Sequence, residues 1–126
     1  MKILALGNEF RMDDSIALII ADKINAIKAY TNPENFINEG EEVILIDAVD
    51  FNADCGSVKS FSPDEINNFA LSTTHNMNID LLAKLCKIKK IIGIQPKKTG
   101  YGKNLSEELE AKKNEIIIKV KKLINE

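Results

Sequence analysis

Histidine is nearly missing from this 126-residue chain: it occurs once, at His75. Tryptophan is absent, and cysteine is limited to Cys55 and Cys86. The two cysteines form no CxxC pair, so neither a zinc knuckle nor a thioredoxin-type redox motif can be built. Two free thiols in a reducing compartment are expected. No apolar run approaches the roughly 18 residues of a membrane span, and no leader-like pattern precedes the first strand. A cytoplasmic location without membrane insertion is therefore expected. Charge of one sign is also not in excess, with 17 Lys and Arg against 19 Asp and Glu and a net charge of −2. That balance gives no reason to expect nucleic acid or an anionic membrane as the main partner. HExxH, GxSxG and Walker motifs do not occur, and "GNEFRMDD" is not GxGxxG.

What is present is an alternation of strand and helix signals. At 44% hydrophobic and 29% charged, the composition suits one domain over residues 1–126 with one sizeable core. "KILAL", "EVILID" and "KIIGI" are short apolar runs bounded by turn or breaker residues, the pattern of buried strands. Between them, helical periodicity appears at Ile16, Ile19, Ile20, Ile24 and Ile27, and again at Met77, Leu81, Leu82, Leu85 and Ile88. "AIKAY" reads as a short strand, "TNPENF" as a helical turn from Pro33, and "DCGSVKSF" as a short edge strand. Ser62, Pro63 and Glu65 form a capping box. A last helix is expected over 106–124, with Leu109, Ile116, Ile117, Val120, Leu123 and Ile124 facing inward; its lysines alternate with apolar residues, as on a solvated helix face. The expected architecture is a three-layer α/β/α sandwich around a mostly parallel, roughly five-stranded sheet.

Ligands of open α/β sheets bind beyond the carboxyl ends of the strands. Gly7, Asn8, Asp13 and Asp14 follow the first strand; Asp47 and Asp50 follow the second; Gln95 and Pro96 follow "KIIGI". His75 lies in the loop "STTHNMNID" before the next helix. Asp14, Asp47 and His75 together make an oxygen, oxygen and nitrogen donor set, suited to a divalent transition metal with positions left open. Each has a simpler reading as well. Asp13 or Asp14 can cap a helix, Asp47 can cap a turn, and a lone histidine in a polar loop can be a surface residue. Cys86 lies in an apolar stripe and reads as core. A Cys55–His75 nucleophilic dyad is a weaker alternative.

Four segments of the chain resemble the hydrogenase maturation proteases. They are "ILALGNEFRMDDSIALIIADKI", "VILIDAVDFNADCGSVKSFSPDEI", "STTHNMNIDLLAKL" and "IIGIQPKKTGYGKNLSEEL". The Thr-Thr-His-Asn-Met run resembles the branch that serves energy-converting, formate-hydrogenlyase-type hydrogenases. The resemblance implies an endopeptidase that recognises nickel in the precursor of a nickel–iron hydrogenase large subunit and removes its C-terminal peptide. It implies Asp14, Asp47 and His75 as metal-binding and catalytic residues, and Asn8, Asp13, Thr74 and Gln95 as substrate-binding. Nickel would arrive on the precursor, held by its cysteine thiolates, and other divalent metals could substitute in vitro. A monomer is expected. Two departures stand out: Ser15 and Ala17 occupy positions where the family usually has glycine, and the stretch before "EVILID" is short. A catalytically impaired homologue, a nickel-binding protein without protease activity, and a receiver-like phosphoacceptor domain using Asp47 with Lys97 or Lys98 are the competing expectations.

Overall fold

A nine-residue strand, β3 (Glu42–Asp50), runs through the middle of the sheet and is buried from Val43 to Val49. Its Val43–Ile46 run is what a strand covered on both faces needs. The structure, a computed structural model, describes residues 1–66, 70–71 and 79–126. β1 (Lys2–Leu6) lies parallel on one side of β3, and β6 (Lys87–Ile94) lies parallel on the other. β2 (Ile27–Tyr30) adds a parallel edge beside β1, and β4 (Val58–Phe61) an antiparallel edge beside β6. The strand order is β2-β1-β3-β6-β4, with a two-residue strand, β5 (Ala70–Leu71), pairing antiparallel with the end of β3. The mostly parallel five-stranded path expected from the strand signals is thus observed.

Side chains alternate between the two faces of β3, and each face is the floor of one core. Ile44, Ile46 and Ala48 pack with α1 (Ile16–Ile20) and with Leu109, Ile116 and Val120 of α4 (Glu107–Ala111) and α5 (Lys113–Ile124). Val43, Leu45 and Val49 pack with Ile66 of α2 (Pro63–Ile66) and with Ile79 and Leu82 of α3 (Ile79–Leu85). By the same alternation Asp47 belongs to the α2–α3 face.

Local structure follows the sequence signals at several points and departs at others. The capping box is made: Ser62 N donates to Glu65 Oε1 at 2.9 Å and Glu65 N to Ser62 Oγ at 3.2 Å. The first helix is shorter than its stripe. A 3-10 turn (Met12–Ser15) leads into α1, a second one (Ala21–Lys23) ends it, and Ile27 already belongs to β2. The reversal occurs at Asn25, whose φ of 56° no helix continues. β3 runs three residues beyond Asp47 to Asp50, because β5 pairs there. The inward face of α3 is Ile79, Leu82 and the following Cys86, whereas Leu81 and Leu85 are exposed and Ile88 is in β6. Met77 is outside the described residues. The last helix breaks at Lys112, whose Nζ donates to Cys55 O at 2.8 Å.

Candidate active site

Asp14 is in the 3-10 turn that follows β1, and Asp47 is inside the neighbouring strand β3. Ala5 of β1 is level with Ile46 of β3, so the residue after it, Leu6, is level with Asp47. The chain then turns at Gly7, where φ is 153°. A Cβ at Gly7 would clash with the Asp14 carbonyl oxygen. Glycine therefore lets the 3-10 turn carrying Asp14 settle on the end of β1 and pack against β3. Both carboxylates are fully buried in the fold. Asp47 is inside a strand, so it caps no turn; its Oδ1 accepts from Ala48 N at 2.8 Å.

Asp13 does something different from its neighbour. Its Oδ2 accepts from Lys97 N (2.8 Å), Lys98 N (2.9 Å) and Ser106 Oγ (2.8 Å), and its Oδ1 from Ser106 N (2.7 Å). The Asp13 side chain is 0% exposed and both of its oxygens are engaged by the protein, which gives it a fastening role. The helix-cap reading fails, since neither acid caps the turn from Met12. What Asp13 holds is the 97–106 loop. That loop returns the support: Met12 N donates to Gly102 O (2.8 Å) and Asp13 N to Lys98 O (3.0 Å). Met12 itself is in the left-handed region at φ 47°, a costly conformation for this residue type that surrounding contacts must enforce.

Arg11 is the residue that sequence reading missed. Its Nε donates to Thr99 O at 3.1 Å and lies 3.7 Å from Asp14 Oδ2. The three-residue spacing to Asp14 was the available signal, since such pairs meet on a helical turn. Gln95 is buried, and its amide joins two loops. Oε1 accepts from Phe51 N (2.8 Å) and Ala53 N (3.2 Å), and Nε2 donates to Asp50 Oδ1 (3.1 Å) and Pro96 O (3.3 Å). These bonds fix the connection from β3 to β4 against the end of β6. Asn8 is half-buried, and its Oδ1 accepts from Phe10 N at 2.9 Å, an Asx-type turn at the end of β1. His75 and Thr74 lie outside the described residues. Among the described residues, no group of three His, Cys, Asp or Glu side chains could hold a metal ion.

The competing chemistries can be weighed on the same geometry. Cys55 is half-buried, and burial followed by a hydrogen bond to Glu108 pushes its thiol up to about 11. That is the reverse of an activated nucleophile. The phosphoacceptor alternative is weakened, since Lys97 Nζ bonds Glu108 Oε1 at 3.0 Å and β4 is antiparallel at the sheet edge. Ser15 and Ala17 are both buried. The Ser15 hydroxyl donates back to Met12 O at 2.7 Å, and the Ala17 methyl packs in the α1-side core.

A family model described as hydrogenase maturation protease matches residues 20–124. The chain is 30% identical over 116 residues to the hydrogenase 3 maturation protease of Escherichia coli, covering 79% of this chain and 74% of that protein. The nickel–iron hydrogenase maturation protease HybD from Thermococcus kodakarensis superposes with a TM-score of 0.69 at 28% identity, over 98% of this chain and 99% of that one. The endopeptidase HycI from Escherichia coli shares the fold, with a TM-score of 0.74 at 22% identity over 95% and 88% of the two chains. No helix among the described residues is long and apolar enough to cross a membrane.

Proposed function

The chain belongs to the hydrogenase maturation protease family, and from that premise we propose that it recognises nickel in the precursor of a nickel–iron hydrogenase large subunit and removes the C-terminal peptide. The observation that carries this reading is that Asp14 and Asp47 are both fully buried, one in the 3-10 turn that packs against β3 and the other within β3 itself. Two carboxylate oxygen donors from different elements suit a divalent ion better than they suit each other.

His75 is the third donor in this reading. The segment containing it starts after β5, where Leu71 pairs with Val49, two residues past Asp47. It ends at Ile79, buried on the same face of the sheet as Asp47.

The nickel ion is part of the substrate here, delivered on the precursor's cysteine thiolates. Asp14, Asp47 and His75 complete its coordination, so binding requires a correctly loaded precursor. An ion held this way polarises the scissile carbonyl or a water beside it. A carboxylate of the pair is then placed to accept the proton of the attacking water. The protonated carboxylate returns that proton to the amide nitrogen as the C–N bond breaks, the new carboxylate stays on the mature subunit, and the amine leaves with the tail.

The test is mass measurement of a nickel-loaded precursor before and after incubation with the wild type and with His75→Ala. Wild type should remove the tail, and the variant should leave the mass unchanged with its circular dichroism intact. Undiminished cleavage by His75→Ala would sink the assignment.

A further inference from the structure

Beside the candidate site is a groove of about 380 Å³ between the loop after β1, helix α1 and edge strand β2. Phe10, Ile19 and Tyr30 bring apolar surface to it from those three elements, and they are 52%, 41% and 40% exposed. Lys28 and Lys103 line it too, with Glu9 as the acid among the lining residues. Lys103 Nζ is 5.7 Å from the centre of the Phe10 ring, so one cation and one apolar surface are presented together. The groove is therefore locally cationic on a chain whose net charge is −2. Its inner end includes Ser15, the residue after Asp14.

We infer that this groove seats the precursor's C-terminal tail, with an apolar side chain against Phe10, Ile19 and Tyr30 and a carboxylate beside Lys28 and Lys103. The inference rests on the proposed function, since it takes the tail of that precursor as the occupant. A cut made next to Asp14 leaves the tail to run outward from Ser15, which is where the groove begins. Every C-terminal tail carries a terminal carboxylate, and acidic side chains within it would offer the same chemistry. Arg11 and Asp13 hold the 97–106 loop, and with it Lys103, over this end of the sheet. The groove thus supplies ground-state binding remote from the scissile bond, and its loss should appear in KM more than in kcat.

The experiment titrates a fluorescein-labelled synthetic tail peptide with wild type and with the Lys28→Glu/Lys103→Glu double variant, reading anisotropy at low and high salt. Both residues are on the surface, so the variant should fold as the wild type does. Binding to wild type should weaken with salt and drop about tenfold further in the variant. A C-terminally amidated peptide and one with its acidic side chains neutralised identify the carboxylate source by whichever binds more weakly. With nickel-loaded precursor as substrate, the variant should show a raised KM and nearly unchanged kcat. Equal binding of the tail by wild type and variant, or no loss with either modified peptide, would overturn the groove assignment. Tail binding is read without cleavage, so inactive wild type with salt-sensitive, lysine-dependent tail binding would refute the proposed protease function while leaving the groove standing.

Discussion

Replacing Asp13 tests the idea that this acid holds the site together and does not touch substrate. The carboxylate receives four hydrogen bonds of 2.7–2.9 Å from Lys97 N, Lys98 N, Ser106 N and Ser106 Oγ. Hydrogen bonds to a charged group contribute about 1.5–3 kcal/mol each, although such bonds sharing one acceptor do not add. Lys97 and Lys98 are exposed residues, so water can replace part of what their N–H groups lose. Ser106 is buried, and its N–H would be left without an acceptor, which costs about 1–3 kcal/mol by itself. Asp13→Ala should therefore destabilise by about 3–5 kcal/mol, a large share of the 5–15 kcal/mol typical of a domain. Asp13→Asn keeps the shape and one acceptor oxygen. Placed to serve the three donors now on Oδ2, it turns its NH₂ toward Ser106 N–H, donor against donor. About 2 kcal/mol should be lost, or roughly 8 °C in Tm for a chain of this size. Urea unfolding followed by circular dichroism, with an unchanged m value, measures it. A double-mutant cycle with Ser106→Ala should show a coupling of at least about 0.5 kcal/mol. If Asp13→Asn costs less than about 0.5 kcal/mol, as an ordinary surface change does, the fastening role is wrong.

Gly7→Ala would set a Cβ against the Asp14 carbonyl oxygen. The turn from Met12 must then move, so precursor processing should fall at least tenfold while the variant still folds; wild-type kcat/KM would show that the close approach is unimportant. Cys55, with its thiol held up to about 11, should be alkylated by iodoacetamide slowly at pH 8 and faster as pH rises toward 11. The folded-state value lies above the ordinary thiol value. The stability linked to this group is therefore complete below pH 9 and is lost as pH rises through 11. Rapid alkylation at pH 7 would contradict the burial argument.

Much of the architecture was already legible in the chain. The apolar runs of β1, β3 and β6 identify themselves because a strand buried on both faces can carry almost nothing else. The Ser62–Glu65 box was readable because capping is local, fixed by side chains three residues apart. Local pattern also misled where tertiary contacts rule. The stripe through Leu81 and Leu85 has the right period but the wrong phase, because the sheet selects the Ile79–Leu82–Cys86 face. The helix stripe carried on to Ile27 because isoleucine spacing cannot register the left-handed turn at Asn25.

The sequence by itself determined which residue types could make a site: two acids after strands, one imidazole in the chain, and no alternative motif. It could not say that Asp13 and Asp14, adjacent and chemically identical, have unlike roles. That difference is one of direction. A 3-10 turn entered through a left-handed Met12 sends Asp13 toward the backbone of a loop more than 80 residues away, with separations of 84, 85 and 93 to its donors. It leaves Asp14 seated on Gly7 at the end of β1, beside the strand that carries Asp47. Gln95 likewise reads as a polar residue after a strand until the β3–β4 connection folds over it and takes both ends of its amide. Only the folded chain brings those distant backbone groups within reach, and a carboxylate or amide in a low-dielectric interior is held by whatever donors and acceptors arrive there.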